Sequence, residues 1–202
     1  MRPNDVDAVA LWPGAGSDRD HASLLAIEAA LAPLPVLRFD FPYRREGRRP
    51  PDRAVKLVAS LRADVAGLCE ELGTEPGRVV LGGRSMGGRM CSMAVAGATG
   101  ATKQGAPPDE PPLPAAGLVL LGYPLHPPRR PDRLRTEHLP RVTVPTLFVS
   151  GDRDPFGTPE ELADAQALVA GPVTPVTVEG ARHELAGADE RIVEELRSWL
   201  GR

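Results

Sequence analysis

Short apolar runs alternate with amphipathic ones from one end of the chain to the other, and that order leaves few folds open. Ala8-Val9-Ala10-Leu11-Trp12 reads as an apolar strand that stops at Pro13-Gly14. Residues 18–31 read as a helix with Leu24, Leu25, Ile27 and Leu31 roughly on one face. Residues 35–41 suit a second strand, and Ala54–Leu72 a long amphipathic helix closed by Gly73. Further strands are expected at 78–81, 118–121, 146–150 and 174–178, and further helices at 86–98, 159–169 and 190–200. Strands that are apolar throughout are buried on both faces. The expected fold is α/β: one domain, residues 1–202, with a mostly parallel sheet of about six strands and helices on both faces. Right-handed crossovers send every strand-to-helix turn to one edge of such a sheet, where its ligands bind. Pro13-Gly14, Ser85, Tyr123, Asp154 and His183 all fall on that edge.

A chain of 202 residues buries roughly 70% of its unfolded surface, so the core needs no staples. The formal charge of −3 offers no hold on nucleic acid or on an anionic membrane, and neither is expected as a partner. Cys69 and Cys91 fall in helix-like segments and read as buried thiols of a reducing compartment. The start, Met1-Arg2-Pro3-Asn4-Asp5, is polar, and the apolar run after it is too short for a signal peptide. No run has the length of a membrane span. A soluble cytoplasmic protein is expected. Most glycines and prolines punctuate the apolar runs. Residues 99–114, rich in Gly, Pro and Ala, read as a flexible loop.

The chemistry is concentrated after the third strand. Val79-Val80-Leu81 runs into Gly83-Arg84-Ser85-Met86-Gly87, and a helix-compatible stretch follows. A Gly-x-Ser-x-Gly turn between strand and helix lifts the serine clear of the backbone. A hydroxyl attacks only when a base takes its proton, and the base is usually a histidine oriented by a carboxylate. His183 follows the last strand on the ligand edge, whereas His21, His126 and His138 lie elsewhere in the chain. Ser150-Gly151-Asp152-Arg153-Asp154-Pro155 supplies the acid at the end of the strand before. Asp154 is favoured because its spacing lets the chain turn toward the histidine, with Asp152 as the fallback. Thr158-Pro159-Glu160-Glu161 caps the next helix by itself, which leaves Asp154 free. An oxyanion needs two N–H donors. The expected pair is Met86, just after the serine, and Ala15 in the first loop, with Gly14 or Gly16 as alternatives to Ala15. Pro13 has no N–H to give.

These parts together resemble the α/β-hydrolase superfamily. Within it the chain is similar to the small dienelactone-hydrolase-like group that includes testis-expressed hydrolase-like proteins and a subunit of a histone-acetyltransferase complex. The segments that carry the likeness are Pro13-Gly14-Ala15-Gly16, Phe39-Asp40-Phe41-Pro42-Tyr43-Arg44, Gly82-Gly83-Arg84-Ser85-Met86-Gly87-Gly88-Arg89, Gly122-Tyr123-Pro124-Leu125-His126-Pro127 and Ser150 to Gly157. The resemblance implies the eight-stranded hydrolase sheet trimmed of its first hairpin, and the triad Ser85, Asp154 and His183. Related members often have His where this chain has Pro13.

Only the Pro- and Arg-rich segment 125–144 stands where larger hydrolases insert a lid, so no large lid is expected. The expected function is a serine hydrolase with an open, shallow site for a small soluble ester or thioester, working without a cofactor. Tyr123 and Leu125 are candidates to line that site. Arg44, Arg84 and Arg89, with Arg45, Arg48 and Arg49, are candidates to hold a carboxylate or phosphate on the substrate. The competing reading of these arginines is ion pairing with Asp40 or Asp52. Three other functions are weighed. A dinucleotide site would use Gly14-Ala15-Gly16 and Asp40, but Arg19 stands where the third glycine belongs. A metal hydrolase would use Asp18-Arg19-Asp20-His21 or Asp152-Arg153-Asp154, and neither has an obvious ligand spacing. A catalytically silent hydrolase fold serving as a binding or scaffold module, with a protein partner, is the main alternative.

Overall fold

Strand β1 (Ala8–Trp12) is buried at every position and divides its side chains between two apolar clusters. Ala8, Ala10 and Trp12 enter one, and Val9 and Leu11 the other, on opposite faces of the sheet. The structure is a computed structural model and describes residues 3, 5–100 and 110–202. The expected flexible loop therefore lies largely outside the described residues.

Six parallel strands stand in the order β2-β1-β3-β4-β5-β6. They are β1, β2 (Val36–Arg38), β3 (Val79–Arg84), β4 (Gly117–Leu121), β5 (Thr146–Gly151) and β6 (Val173–Val178). After β1 the chain steps outward to β2, then returns past β1 to β3. The direction of winding thus reverses between β1 and β3, and a crevice opens at their carboxyl ends. Helices α1 (Ala22–Leu31) and α6 (Asp189–Leu200) cover one face through Leu24, Ile27, Leu31, Ile192, Leu196 and Trp199. Helices α3 (Ala54–Leu72), α4 (Met86–Val95) and α5 (Pro159–Gln166) cover the other. β6 is an edge strand, where Pro175 leaves no ladder bond unmade on a missing neighbour.

The expected order of elements holds, with local corrections. Residues 18–21 form a turn, not the start of α1: Asp18 accepts the N–H of Asp20 at 3.1 Å and that of His21 at 3.2 Å. Leu25 lies 41% exposed, off the buried face of α1. β2 ends at Arg38, because Pro42 opens a short helix, α2 (Pro42–Arg45). β3 runs three residues past Leu81, and both of its glycines are paired with β1 and β4. α4 ends at Val95 and α5 at Gln166. Segment 125–144 contains only one 3-10 turn, Leu139–Arg141, and no lid helix. Among the described residues no helix is long and apolar enough to cross a membrane.

One polar group is sealed beneath α4. His138 donates from Nε2 to Ser92 Oγ at 2.8 Å, and that hydroxyl donates to the Arg89 carbonyl at 2.8 Å. Burial, reinforced by the charges of Arg89 and Arg141, pushes the His138 imidazole down from 6.5 to about 3. The unfolded chain takes up this proton near the ordinary value and the folded chain does not. The stabilisation is therefore complete above about 6.5 and is lost as pH falls toward 3. Between pH 7 and pH 4 this group is expected to remove about 3 kcal/mol of stability. Denaturant titrations of wild type and His138→Gln check this, because glutamine keeps a donor for Ser92 and has nothing to titrate. Identical acid profiles would contradict the burial of a neutral imidazole.

Candidate active site

The crevice between β1 and β3 is built by close backbone approach. A Cβ on Gly83 or Gly87 would collide with the carbonyl of Trp12, so only glycine lets the turn after β3 lie against the end of β1. Ser85 is held at φ 47°, ψ −113°, a conformation a side chain rarely adopts, and its N–H donates to Leu121 O at 2.8 Å. Gly14 sits opposite, and a Cβ there would be 3.6 Å from that of Ser85. The 14–17 loop is tied by Ser17 N–H to Gly14 O at 3.2 Å and by Tyr43 Oη–H to Ala15 O at 2.9 Å.

Three sequence-distant side chains meet over this turn. His183 Nε2 lies 2.8 Å from Ser85 Oγ. Its Nδ1 lies 2.8 Å from Asp154 Oδ2 and 3.1 Å from Oδ1. A buried carboxylate only accepts, so Nδ1 carries the proton and the Nε2 lone pair faces the serine hydroxyl. That tautomer is able to remove a proton from Ser85. Asp154 is 4% exposed, and its Oδ1 also accepts the N–H of Phe156 at 2.8 Å. The capping box at Thr158 and Glu161 forms as expected, with bonds of 3.3 and 2.8 Å, and does not draw on Asp154. The acid on the imidazole is thus Asp154, while Asp152, the fallback, keeps a buried Oδ1 without a hydrogen-bond partner. Phe156 stacks on His183 at 4.0 Å between ring centroids and 28° between planes.

A cavity of about 320 Å³ opens above Ser85 and His183. The 14–17 loop forms one wall and Phe156 the other, with Arg84 and Glu184 at the side. Met86 is the first residue of α4, where a helix leaves its N–H groups unpaired. A larger depression of about 690 Å³ runs beside α6 along Glu190, Val193, Arg197 and Ser198, and no histidine lines it.

Several expected contacts do not form. Tyr123 and Leu125 are each 1% exposed and do not line the cavity at Ser85. The chain reverses at Gly122 (φ 59°), and the Tyr123 ring packs edge-on to Phe148 while its hydroxyl donates to Arg135 O at 2.6 Å. Burial pushes that phenol up to about 12. Arg44 pairs with Asp18 at 3.4 Å, away from the cavity. Arg45 holds Asp64 with two 2.7 Å bonds, and Arg48 holds Asp52 and Glu46. Most of the basic segment is therefore ion-paired, to Asp52 as the alternative reading had it. Asp40 instead accepts the N–H of Arg19 at 2.8 Å. Arg84 reaches the cavity, yet both of its terminal nitrogens are taken up by protein acceptors, while its buried Nε has no partner. Asp18 and Asp20 pair with Arg44 and Arg38, and no group of three or more metal-ligating side chains occurs among the described residues. Sequence reasoning missed Phe156, Glu184 and His21. Phe156 had a local signal, two residues after the acid, but His21 and Arg84 are 63 residues apart and nothing in the string joins them.

Solved structures resemble this chain over nearly its full length. An alpha-beta serine hydrolase homologue from Coxiella burnetii is 19% identical with a TM-score of 0.68, covering 97% of this chain and 89% of that one. A dienelactone hydrolase from Anabaena variabilis is 20% identical with a TM-score of 0.68, covering 99% and 88%. A thermophilic esterase from the Planctomycetes species Thermogutta terrifontis, bound to propionate, is 20% identical with a TM-score of 0.67, covering 100% and 85%. At such identities the likeness establishes a common fold. A family model described as an alpha/beta hydrolase domain matches residues 6–196. With its six-stranded parallel sheet and a match over almost all its length, this chain belongs to the alpha/beta hydrolase domain family.

Proposed function

We propose that this protein is a serine hydrolase that cleaves a small carboxylic ester or thioester, with the whole chain acting as one catalytic domain. The observation that carries the reading is the unbroken run of contacts from Asp154 through His183 to Ser85, 2.8 Å at each step. Ser85 Oγ attacks the acyl carbon while His183 Nε2 takes its proton. The carbonyl oxygen, now an oxyanion, is held by the N–H groups of Met86 and Ala15. The imidazolium, supported by Asp154, gives its proton to the leaving alkoxide or thiolate, and an acyl-serine remains. Water then attacks, again with His183 as base, and releases the acid and free Ser85.

The small cavity and the absence of a lid helix in segment 125–144 favour a short acyl chain. Neighbours described as an esterase and a dienelactone hydrolase are consistent with acyl transfer. The segments that resemble the dienelactone-hydrolase-like group, and a dienelactone hydrolase among the structural neighbours, support a relation to that branch. Cys69 and Cys91 are both free and buried, which fits a cytoplasmic location.

A fluorophosphonate probe tests the nucleophile, and chromogenic esters, thioesters and lactones of varied length test the substrate. Wild type should label and Ser85→Ala should not, and acetyl and propionyl esters should turn over faster than long-chain ones. No labelling and no turnover across the panel would leave a silent fold used as a binding module.

A further inference from the structure

Arg84 stands directly before the nucleophile, yet its guanidinium points across the crevice to the opposite loop. Its side chain is 3% exposed. Nη2 donates to the main-chain carbonyl of His183 at 3.2 Å and to Glu184 Oε2 at 3.1 Å. Nη1 lies 2.7 Å from Nε2 of His21, in the turn before α1. One side chain therefore links the end of β3, the start of α1 and the loop that carries the histidine.

The contact with His21 specifies a protonation state. A guanidinium only donates, so Nε2 of His21 must accept. Nδ1 of the same ring lies 3.3 Å from the Ser23 N–H. A neutral imidazole has one lone pair, and both contacts cannot be hydrogen bonds. The shorter one, from a buried cation, takes the lone pair and leaves the proton on Nδ1. Burial and the Arg84 charge both lower the proton affinity of this ring, which favours the neutral form the contact requires.

The loop between β6 and α6 is irregular, with positive φ at Gly180 and at Leu185. Asp154 and Phe156 hold its imidazole and Leu185 and Ala188 are buried in the core, while its main chain around His183 is tied by Arg153 N–H on Ala181 O at 3.0 Å and by Arg84 on His183 O. The carbonyl that Arg84 holds is bonded to the same Cα that bears the imidazole facing Ser85, so a displacement of this stretch of loop carries Nε2 away from the serine. We propose that Arg84 is a positioning residue: it aims His183 at Ser85 by gripping the His183 carbonyl, and His21 holds Arg84 in place. This rests on the reading of Ser85 and His183 as nucleophile and base. It also replaces the idea of Arg84 as a binder of substrate anions, since three protein acceptors already hold both terminal nitrogens and the one donor left without a partner, Nε, is buried. Only a planar fork reaches all three, and a lysine ammonium would serve one at a time.

The test uses Arg84→Met, Arg84→Lys, His21→Leu and His21→Gln. Two readouts are taken: kcat and KM for p-nitrophenyl acetate and for an ester that carries a free carboxylate, and the low-field proton resonance of His183 Nδ1–H in a Ser85→Ala background. A displacement near 1 Å costs on the order of 100-fold, so Arg84→Met should lower kcat about 30- to 100-fold with KM within about twofold, and Arg84→Lys should recover part of the loss. The resonance should shift or broaden in Arg84→Met. His21→Leu should lower kcat about 5- to 10-fold, while His21→Gln, whose amide oxygen accepts, should restore it. If Arg84→Met does not fold, the His21 pair carries the test. Unchanged kcat and resonance, a KM rise confined to acidic esters, or His21→Gln as impaired as His21→Leu would each overturn the proposal. Failure of wild type to react with fluorophosphonate would instead remove the serine-hydrolase reading, while the resonance would still report on Arg84.

Discussion

Asp154→Asn is expected to lower kcat by about 10³- to 10⁴-fold while the protein stays folded. The reason is specific to this loop. Oδ1 of Asp154 accepts the Phe156 N–H at 2.8 Å, so an asparagine must place its oxygen there. Its amide nitrogen then occupies the Oδ2 position, 2.8 Å from Nδ1 of His183, and donates to it. The imidazole is driven into the other tautomer, with its proton on Nε2 facing Ser85, where it cannot take a second one. Alanine at 154 leaves the ring unheld but free to choose its tautomer. Asparagine should therefore be at least as damaging as alanine, which steady-state kinetics with p-nitrophenyl acetate will show. Added to His183→Ala, the Asp154 change should cost little more, because the residues act as a unit. Activity of Asp154→Asn within tenfold of wild type would mean that Asp154 does not orient the base.

Gly87→Ala should be strongly damaging for stability although it adds a single methyl group. A Cβ there meets the Trp12 carbonyl oxygen, with the carbonyl carbon at 2.6 Å and Pro13 O at 2.7 Å. These are backbone atoms of a strand buried on both faces, and they have nowhere to go. Overpacking of this kind costs about 3 kcal/mol, which for a chain of this size lowers Tm by about 10 °C. Gly67→Ala is the control. It lies inside α3 with open space around it, and alanine should stabilise that helix by about 0.5–1 kcal/mol. A Gly87→Ala melt within about 2 °C of wild type would show that α4 can back away from β1. The expected loss would instead mark this glycine as an architectural requirement of the serine turn, since α4 could not otherwise start so close to the end of β1.

Much of this was readable in the string because it depends on local chemistry. Ala54–Leu72 carries a strong apolar stripe and ends at Gly73, which adopts the left-handed conformation at φ 63°. Thr158-Pro159-Glu160-Glu161 contains every part of its own cap, and the cap forms. The meeting of Ser85, Asp154 and His183 followed from topology, because parallel strands with right-handed crossovers bring their carboxyl ends to one edge. The lining of the cavity did not follow. Tyr123 is on the right edge, but whether a ring at that edge faces ligand or core depends on one turn at Gly122 and on the room beside Phe148.

The arginines make the same distinction. Residues 44–49 look like a cationic patch when read in order, and most of their charge disappears against Asp18, Asp52 and Asp64 once α2 and α3 are folded.

What the residue order determined by itself was periodicity, punctuation and the edge of the sheet on which each reactive group lies, because those depend on neighbours a few positions away. Tertiary structure alone decided which partners each charge takes and which way each edge side chain turns. Those outcomes depend on distances between segments as far apart as His21 and Arg84, or Arg84 and Glu184, and such distances exist only after the core has closed.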